Sequence, residues 1–150
     1  MQQAHGSYLI SDDPARLDAA AIHAYLTRSY WAENISLEVV QRALQGSLCI
    51  GAYATDDTQV GLVRIVSDRA TYAYLCDVYV LEAHRRQGLA KAMLAVTMKH
   101  PKLQGLRSWR LGTRDAHELY TQFGFKLVGH SESDMAIRIV NPYGSKPPAS

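Results

Sequence analysis

The residues of this chain whose types and order could do chemistry run from Cys76-Asp77 to His84-Arg85-Arg86-Gln87-Gly88-Leu89-Ala90. Val78, Tyr79, Val80 and Leu81 make an apolar run suited to a buried strand. Leu89, Met93 and Val96 then recur at i, i+4 and i+7, the spacing of one buried helix face. A strand that feeds a basic, glycine-containing turn at a helix start can hold phosphate. The first-turn N–H groups have no partner inside the helix, and the helix dipole adds partial positive charge at the same point. Gly88 and the small Ala90 let that backbone come close to a ligand. Asp77 is the only charged residue between Thr71 and Val80. An unpaired buried carboxylate is costly, so Asp77 is expected to be partnered or at work. A base, an amine anchor and a hydrogen-bonded structural aspartate all stay open for it.

The elements that must position these groups follow from periodicity and turn chemistry. Tyr8-Leu9-Ile10 reads as a short first strand. Asp13 and Pro14 are the N-cap and first residue of a helix running to about Arg28, and Ser36 caps a second helix that Gly46 ends. Strands over 47–53, 59–67 and 71–80 are joined by turns too short for crossovers, which makes them an antiparallel meander. The helix after the glycine turn runs to about Lys99, where His100-Pro101 stops it. Ser108 to Gly112 is a strand reached through that helix, hence parallel to the strand before it. A helix follows over 116–123, and two last strands over 125–128 and 135–140 are expected to form a hairpin. The Pro/Gly-rich residues 141–150 read as a flexible tail on a single domain of residues 1–140.

Composition and charge narrow the partners. The chain has 150 residues, 47% hydrophobic and 20% charged, an ordinary globular balance. No apolar run approaches the ~20 residues of a membrane span, and no signal-peptide pattern is present, so a cytoplasmic protein away from membranes is expected. Cys49 and Cys76 read as reduced core thiols, and the scattered histidines offer no metal-ligand spacing. Residues 1–84 carry 5 basic and 10 acidic side chains, whereas 85–114 carry 8 basic and none acidic. The basic middle suits a polyanionic cofactor, and the acidic first half suits a cationic acceptor. No helix-turn-helix, RNA-recognition signature or long basic tail accompanies it, so nucleic acid is not the expected partner.

Arg85-Arg86-Gln87-Gly88-Leu89-Ala90 resembles the [QR]-x-x-G-x-[GA] signature of the GNAT superfamily of N-acetyltransferases. About 28 residues on from Gly88, Ala116, Leu119, Tyr120, Gly124 and Phe125 match that family's N-x-x-A-x-x-[LF]-Y-x-x-x-G-F segment. The element order, β-α-α-β-β-β-α-β-α-β-β, is similar to the GNAT fold: an α/β (α+β) architecture with a mixed central sheet of about seven strands and four helices. The resemblance implies acetyl-coenzyme A as co-substrate and no metal. It implies Arg85, Arg86, Gln87, Gly88, Leu89 and Ala90 around the pyrophosphate, and the backbones of Val78, Tyr79 and Val80 along the pantetheine arm of a bulged, splayed strand.

Within that resemblance Tyr120 is the candidate general acid. A phenol of ordinary pKa about 10 keeps its proton at neutral pH and can donate to a thiolate of cysteine-like basicity, roughly 8.5. Asp77 is the second candidate catalytic residue; the glutamate that some relatives place three positions earlier is Tyr74 here. Two other departures from the family pattern, Glu82 in place of proline and Thr113 in place of asparagine, remove no ligand. Tyr30, Trp31 and Glu33 are candidate acceptor residues, an aromatic and anionic pocket for an ammonium group. The implied activity is direct acetyl transfer to a primary amine of a small molecule or peptide through a ternary complex. Neither motif carries a cysteine for a covalent intermediate. A non-catalytic acyl-coenzyme A sensor of the same fold would keep the turn and need neither Tyr120 nor Asp77. An enzyme for longer acyl chains or oxygen acceptors is a third reading, and a homodimer stays open because family members often pair.

Overall fold

The structure is a computed structural model that describes residues 1–129 and 132–144. Among these residues one mixed sheet runs in chain order: β1 (Gln2–His5), β2 (Tyr8–Ser11), β3 (Leu48–Tyr53), β4 (Gln59–Ser67), β5 (Tyr72–Val80) and β6 (Ser108–Leu111). Successive strands are antiparallel through β5, and β6 is parallel to β5. Four helices cover the sheet: α1 (Ala19–Leu26), α2 (Leu37–Gln45), α3 (Leu89–Lys99) and α4 (His117–Thr121).

Two apolar clusters hold these layers together. On one face α3 buries Leu89, Met93, Leu94 and Val96 with Ile50, Val63, Ile65 and Leu75 of the sheet, and Tyr120 joins that cluster. On the other, α1 and α2 pack Ile22, Leu26 and Val40 against Leu62 and Tyr79. Gly61 lets α3 sit close: a Cβ there would stand 2.9 Å from the Met93 methyl. No described helix is long and apolar enough to cross a membrane.

Three sequence expectations are corrected. Asp13 does accept from the Ala15 N–H, but it caps only a 3₁₀ turn over Pro14–Arg16. The chain then extends at Leu17, and Asp18 caps α1 by accepting from the Ala21 N–H. At the N-terminus β1 is an unexpected strand; three of its four residues are exposed, so no apolar alternation betrays it.

At the other end the strands expected over 125–128 and 135–140 are not formed by the described residues. Leu127, Met135, Ile137 and Ile139 stand 82%, 95%, 94% and 68% exposed. Alternation suits a strand, but a strand exists only where a neighbour completes its ladder. The segment is linked to the four-residue β6 side chain to side chain, Arg110 to Asp134 at 3.2 Å. The residues of the expected connecting hairpin at 130 and 131, and the tail from 145 onward, lie outside the described residues.

Candidate active site

The site opens where two parallel strands part. β5 and β6 pair from Tyr72↔Ser108 to Leu75↔Leu111, and there β6 ends while β5 continues to Val80. Just past the last pair, Cys76 has no partner between Ile65↔Leu75 and Arg64↔Asp77, which is a β-bulge. A bulge bends its strand and adds twist, and beyond Leu75 no described strand pairs with this edge of β5. The resulting cleft has a volume of about 980 Å³. Val78, Tyr79, Val80, Arg85 and Ala90 line it from the β5–α3 side, Tyr30 and Trp31 from the α1–α2 junction, and Tyr120 from α4.

The glycine turn is built from two left-handed residues, Arg86 at φ 63° and Gly88 at φ 71°. Gly88 is the N-cap of α3 and offers no side chain, so no side-chain oxygen occupies the first-turn N–H groups. The N-terminal hairpin braces this turn. His5 Nε2–H donates to the Gln87 carbonyl at 2.8 Å, and the Tyr8 hydroxyl is hydrogen-bonded to His84 Nδ1 at 2.9 Å. Arg85 does not reach free into solvent: its Nε donates to the Val80 carbonyl at 3.0 Å and its terminal nitrogen to the Tyr25 hydroxyl at 3.1 Å. Tyr25 in turn stacks on Tyr79, 3.9 Å between ring centroids and 9° from parallel. Arg86, Gln87 and Gly88 are exposed at the turn, and the Leu89 side chain is buried in the core.

Tyr120 is 8% exposed, with Phe125 edge-on at 6.0 Å. Burial, aided by the nearby Tyr30 hydroxyl and Asp115, pushes its phenol up to about 12. Asp77 does not line the large cleft. It faces a smaller cavity of about 200 Å³ between β5 and α2, with Trp31 in the wall shared by both. One Asp77 oxygen accepts from Trp31 Nε1–H at 2.8 Å, and the other from Arg64 Nε–H at 2.6 Å. Arg64 also donates to Ser47 Oγ at 3.0 Å. Burial works against the Arg64 charge, but Asp77 outweighs it and holds the guanidinium protonated. Glu33 is exposed and lines neither cavity.

Sequence reasoning did not single out Arg64, Tyr25 or His5. Arg64 had a signal: it is a lone charge inside the apolar Val60–Val66 run, as Asp77 is in β5, and the register sets them opposite one another. His5 had none, because its strand has no apolar pattern. Among the described residues no group of three or more His, Cys, Asp or Glu side chains is placed to hold a metal ion.

Residues 45–127, which contain the bulged strand, the glycine turn and α4, match the family model described as acetyltransferase (GNAT) domain. The chain belongs to the GNAT acetyltransferase family. Acetyl-coenzyme A is the donor of that family, and the bulged strand and uncapped helix start fit it. A protein of Gibberella zeae named as an acetyltransferase is 36% identical over 77% of this chain and 76% of its own. A crystal structure from Xanthomonas campestris, named as an acetyltransferase of the GNAT family, is 41% identical. It superposes with a TM-score of 0.89 over 95% of this chain and all of the other. A GNAT acetyltransferase of Elizabethkingia anophelis with acetyl-CoA bound shares the fold at 16% identity and a TM-score of 0.63, over 83% of this chain and 79% of that one. This GNAT chain is thus an acetyltransferase in which β5, α3, α4 and the α1–α2 junction supply the walls of the cleft.

Proposed function

We propose that this acetyltransferase binds acetyl-coenzyme A along the free edge of β5 and the start of α3, and passes the acetyl group directly to a primary amine. The observation that carries the reading is the parting of β5 from β6 beside an uncapped helix start, with Tyr120 in the wall of the same cleft. Bound there, the donor supplies a thioester. The backbones of Val78, Tyr79 and Val80 line its pantetheine arm where a longer β6 would otherwise pair, the Val80 carbonyl being already bonded to Arg85. The N–H groups at Gly88, Leu89 and Ala90, with the charge of Arg86, face its phosphates. Arg85 holds the turn against β5, and Gln87 is held by His5.

Tyr120 donates a hydrogen bond where the sulfur departs. The amine nitrogen forms the new C–N bond, the C–S bond breaks, and the sulfur leaves with the electron pair as a thiolate, hydrogen-bonded by Tyr120 and then protonated from water. The proton released from the amine passes to water. Asp77 is a positioning residue in this scheme: both its oxygens are engaged, and it fixes the Trp31 indole in the wall of the cleft. Tyr30 and Trp31 shape the acceptor side, and Glu33 stands outside it.

Direct transfer is favoured by the state of Cys76, the thiol closest in sequence to the free edge. Burial pushes it up and outweighs the pull of the neighbouring Arg64 charge, and Asp77 adds a smaller push in the same direction as burial. A protonated thiol is a poor nucleophile. Cys76→Ala is therefore expected to retain turnover, with initial-rate lines for the two substrates that intersect; parallel lines would point to an acetyl-enzyme. Two free thiols, Cys49 and Cys76, suit a reducing cytoplasm.

Calorimetric titration with acetyl-coenzyme A tests the cofactor site. Wild-type protein is expected to bind, and Ala90→Glu, which sets a carboxylate at the start of α3, to lose binding while melting as before. No binding by folded wild-type protein would overturn the reading.

A further inference from the structure

The charged side chains on the wall of the large cleft are nearly all cationic: Arg28, Arg85, Arg114 and Arg138 against Asp115. They differ in what they are free to do. Arg28 is paired with Glu82 through contacts of 2.8 and 3.3 Å. Arg85 is tied to the Val80 carbonyl and the Tyr25 hydroxyl at the glycine turn. Arg114 lies on the loop between β6 and α4, beside Tyr30. Its guanidinium carbon stands 3.7 Å from the centre of the Tyr30 ring, and its backbone N–H donates to the Tyr30 hydroxyl at 3.3 Å. Among the described residues no carboxylate forms an ion pair with Arg114.

Resting on the acetyl transfer argued above, we propose that the acceptor is an amino-carboxylate, a molecule that carries its reacting amine together with a carboxylate bound by Arg114. A guanidinium stacked by its face on an aromatic ring keeps its N–H edge free, and that fork matches a carboxylate through two parallel bonds. The contact with the Tyr30 ring holds the guanidinium in place before the ligand arrives, which lowers the entropic cost of binding it. Tyr30, Arg114 and Tyr120 line the same cleft, so an anion on Arg114 and the phenol share it.

The sign of the wall makes the same choice. An amine with no anion of its own enters as a bare ammonium among arginines and is repelled; a carboxylate on the same molecule offsets that charge. The arginines also disfavour the ammonium form relative to the neutral amine, the form whose lone pair attacks. The cationic wall thus does part of the work of a base, which Asp77, engaged by Trp31 and Arg64, is not free to do.

The test follows thiol release from acetyl-coenzyme A with a panel of α-, β- and γ-amino acids, each beside its own carboxamide. Wild-type protein is compared with Arg114→Gln and Arg114→Lys. The amino acid is expected to exceed its amide by about ten- to a hundredfold in kcat/KM, the range of a charge-assisted hydrogen bond. In Arg114→Gln that ratio falls toward one through the KM of the amino acid, and Arg114→Lys restores part of it. The KM for acetyl-coenzyme A stays as in wild type. Equal use of amide and acid, a rise in the acetyl-coenzyme A KM instead, or no turnover of any amino acid by protein that binds acetyl-coenzyme A would each overturn the proposal. Turnover of the carboxamides or of simple amines separates this from failure of acetyl transfer itself, in which no amine of any kind is acetylated.

Discussion

Burial decides which half of acid chemistry Tyr120 can supply. With its phenol at about 12, full proton transfer to a thiolate of roughly 8.5 is uphill by about 5 kcal/mol. A hydrogen bond donated to the growing charge has no such cost, so Tyr120 is expected to stabilise the departing sulfur while keeping its proton. Tyr120→Phe should lower kcat about 100- to 1000-fold, the loss typical of one donor aimed at developing charge, with little change in acetyl-coenzyme A affinity. The direction of the shift also fixes a pH profile. An ordinary tyrosine is half ionised near pH 10, whereas this one stays protonated until higher pH. No loss of kcat from phenol ionisation is expected up to about pH 10. A fall in kcat by pH 10 that is absent from Tyr120→Phe would contradict it.

At the scale of elements, the Arg64–Asp77 ion pair between β4 and β5 ties Trp31, in the wall of the cleft, to the sheet. Arg64 and Asp77 face each other across the register, with side chains 16% and 6% exposed. Asp77 also receives the Trp31 indole, so one carboxylate joins two strands and the α1–α2 junction. Removing it leaves a half-buried guanidinium and an indole N–H without their acceptor. Asp77→Ala should cost about 3 kcal/mol in chemical denaturation. Its kinetic mark is separate: at temperatures where the variant is folded, the acceptor KM should rise more than the acetyl-coenzyme A KM, because Trp31 loses its tether. A variant as stable as wild type would show that the pair contributes nothing net.

For the whole molecule, the contact between Arg28 of the α1–α2 connection and Glu82 after β5 ties the two sides of the cleft across its rim. The hydrogen bond from Arg28 pulls the Glu82 carboxyl down to about 2 from an ordinary 4.5. The folded state therefore binds that proton less readily than the unfolded chain. The contact contributes fully above pH 4.5, and its contribution fades as pH falls toward 2. Both partners are exposed, so solvent and salt screen the gain and it is small. Glu82→Gln should shift the thermal midpoint slightly at pH 7 in low salt. The difference from wild type should vanish near pH 2 and shrink in high salt; a difference that grew on acidification would reverse the sign argued here.

Local chemistry determined much of this protein before any tertiary structure. Ser36 and Gly46 bound α2, His100-Pro101 ends α3, and Gly88 takes the left-handed conformation that a turn into a helix requires. Each of these choices is settled within a few residues, by a side-chain cap, a missing N–H or a missing Cβ. The same holds for the strands of the meander, where apolar runs and short turns leave one way to pair. Tertiary structure decided what depends on a distant partner. It gave Asp77 to Trp31 and Arg64, and set Arg114 on Tyr30, across separations in sequence that no local pattern encodes. It made a strand of Gln2–His5 by pairing it with β2, and left the alternating residues 135–140 unpaired although the four-residue β6 ends the sheet. Local preference names what a segment can be. Only a neighbour with free hydrogen bonds, or an opposite charge at reach, determines what it becomes.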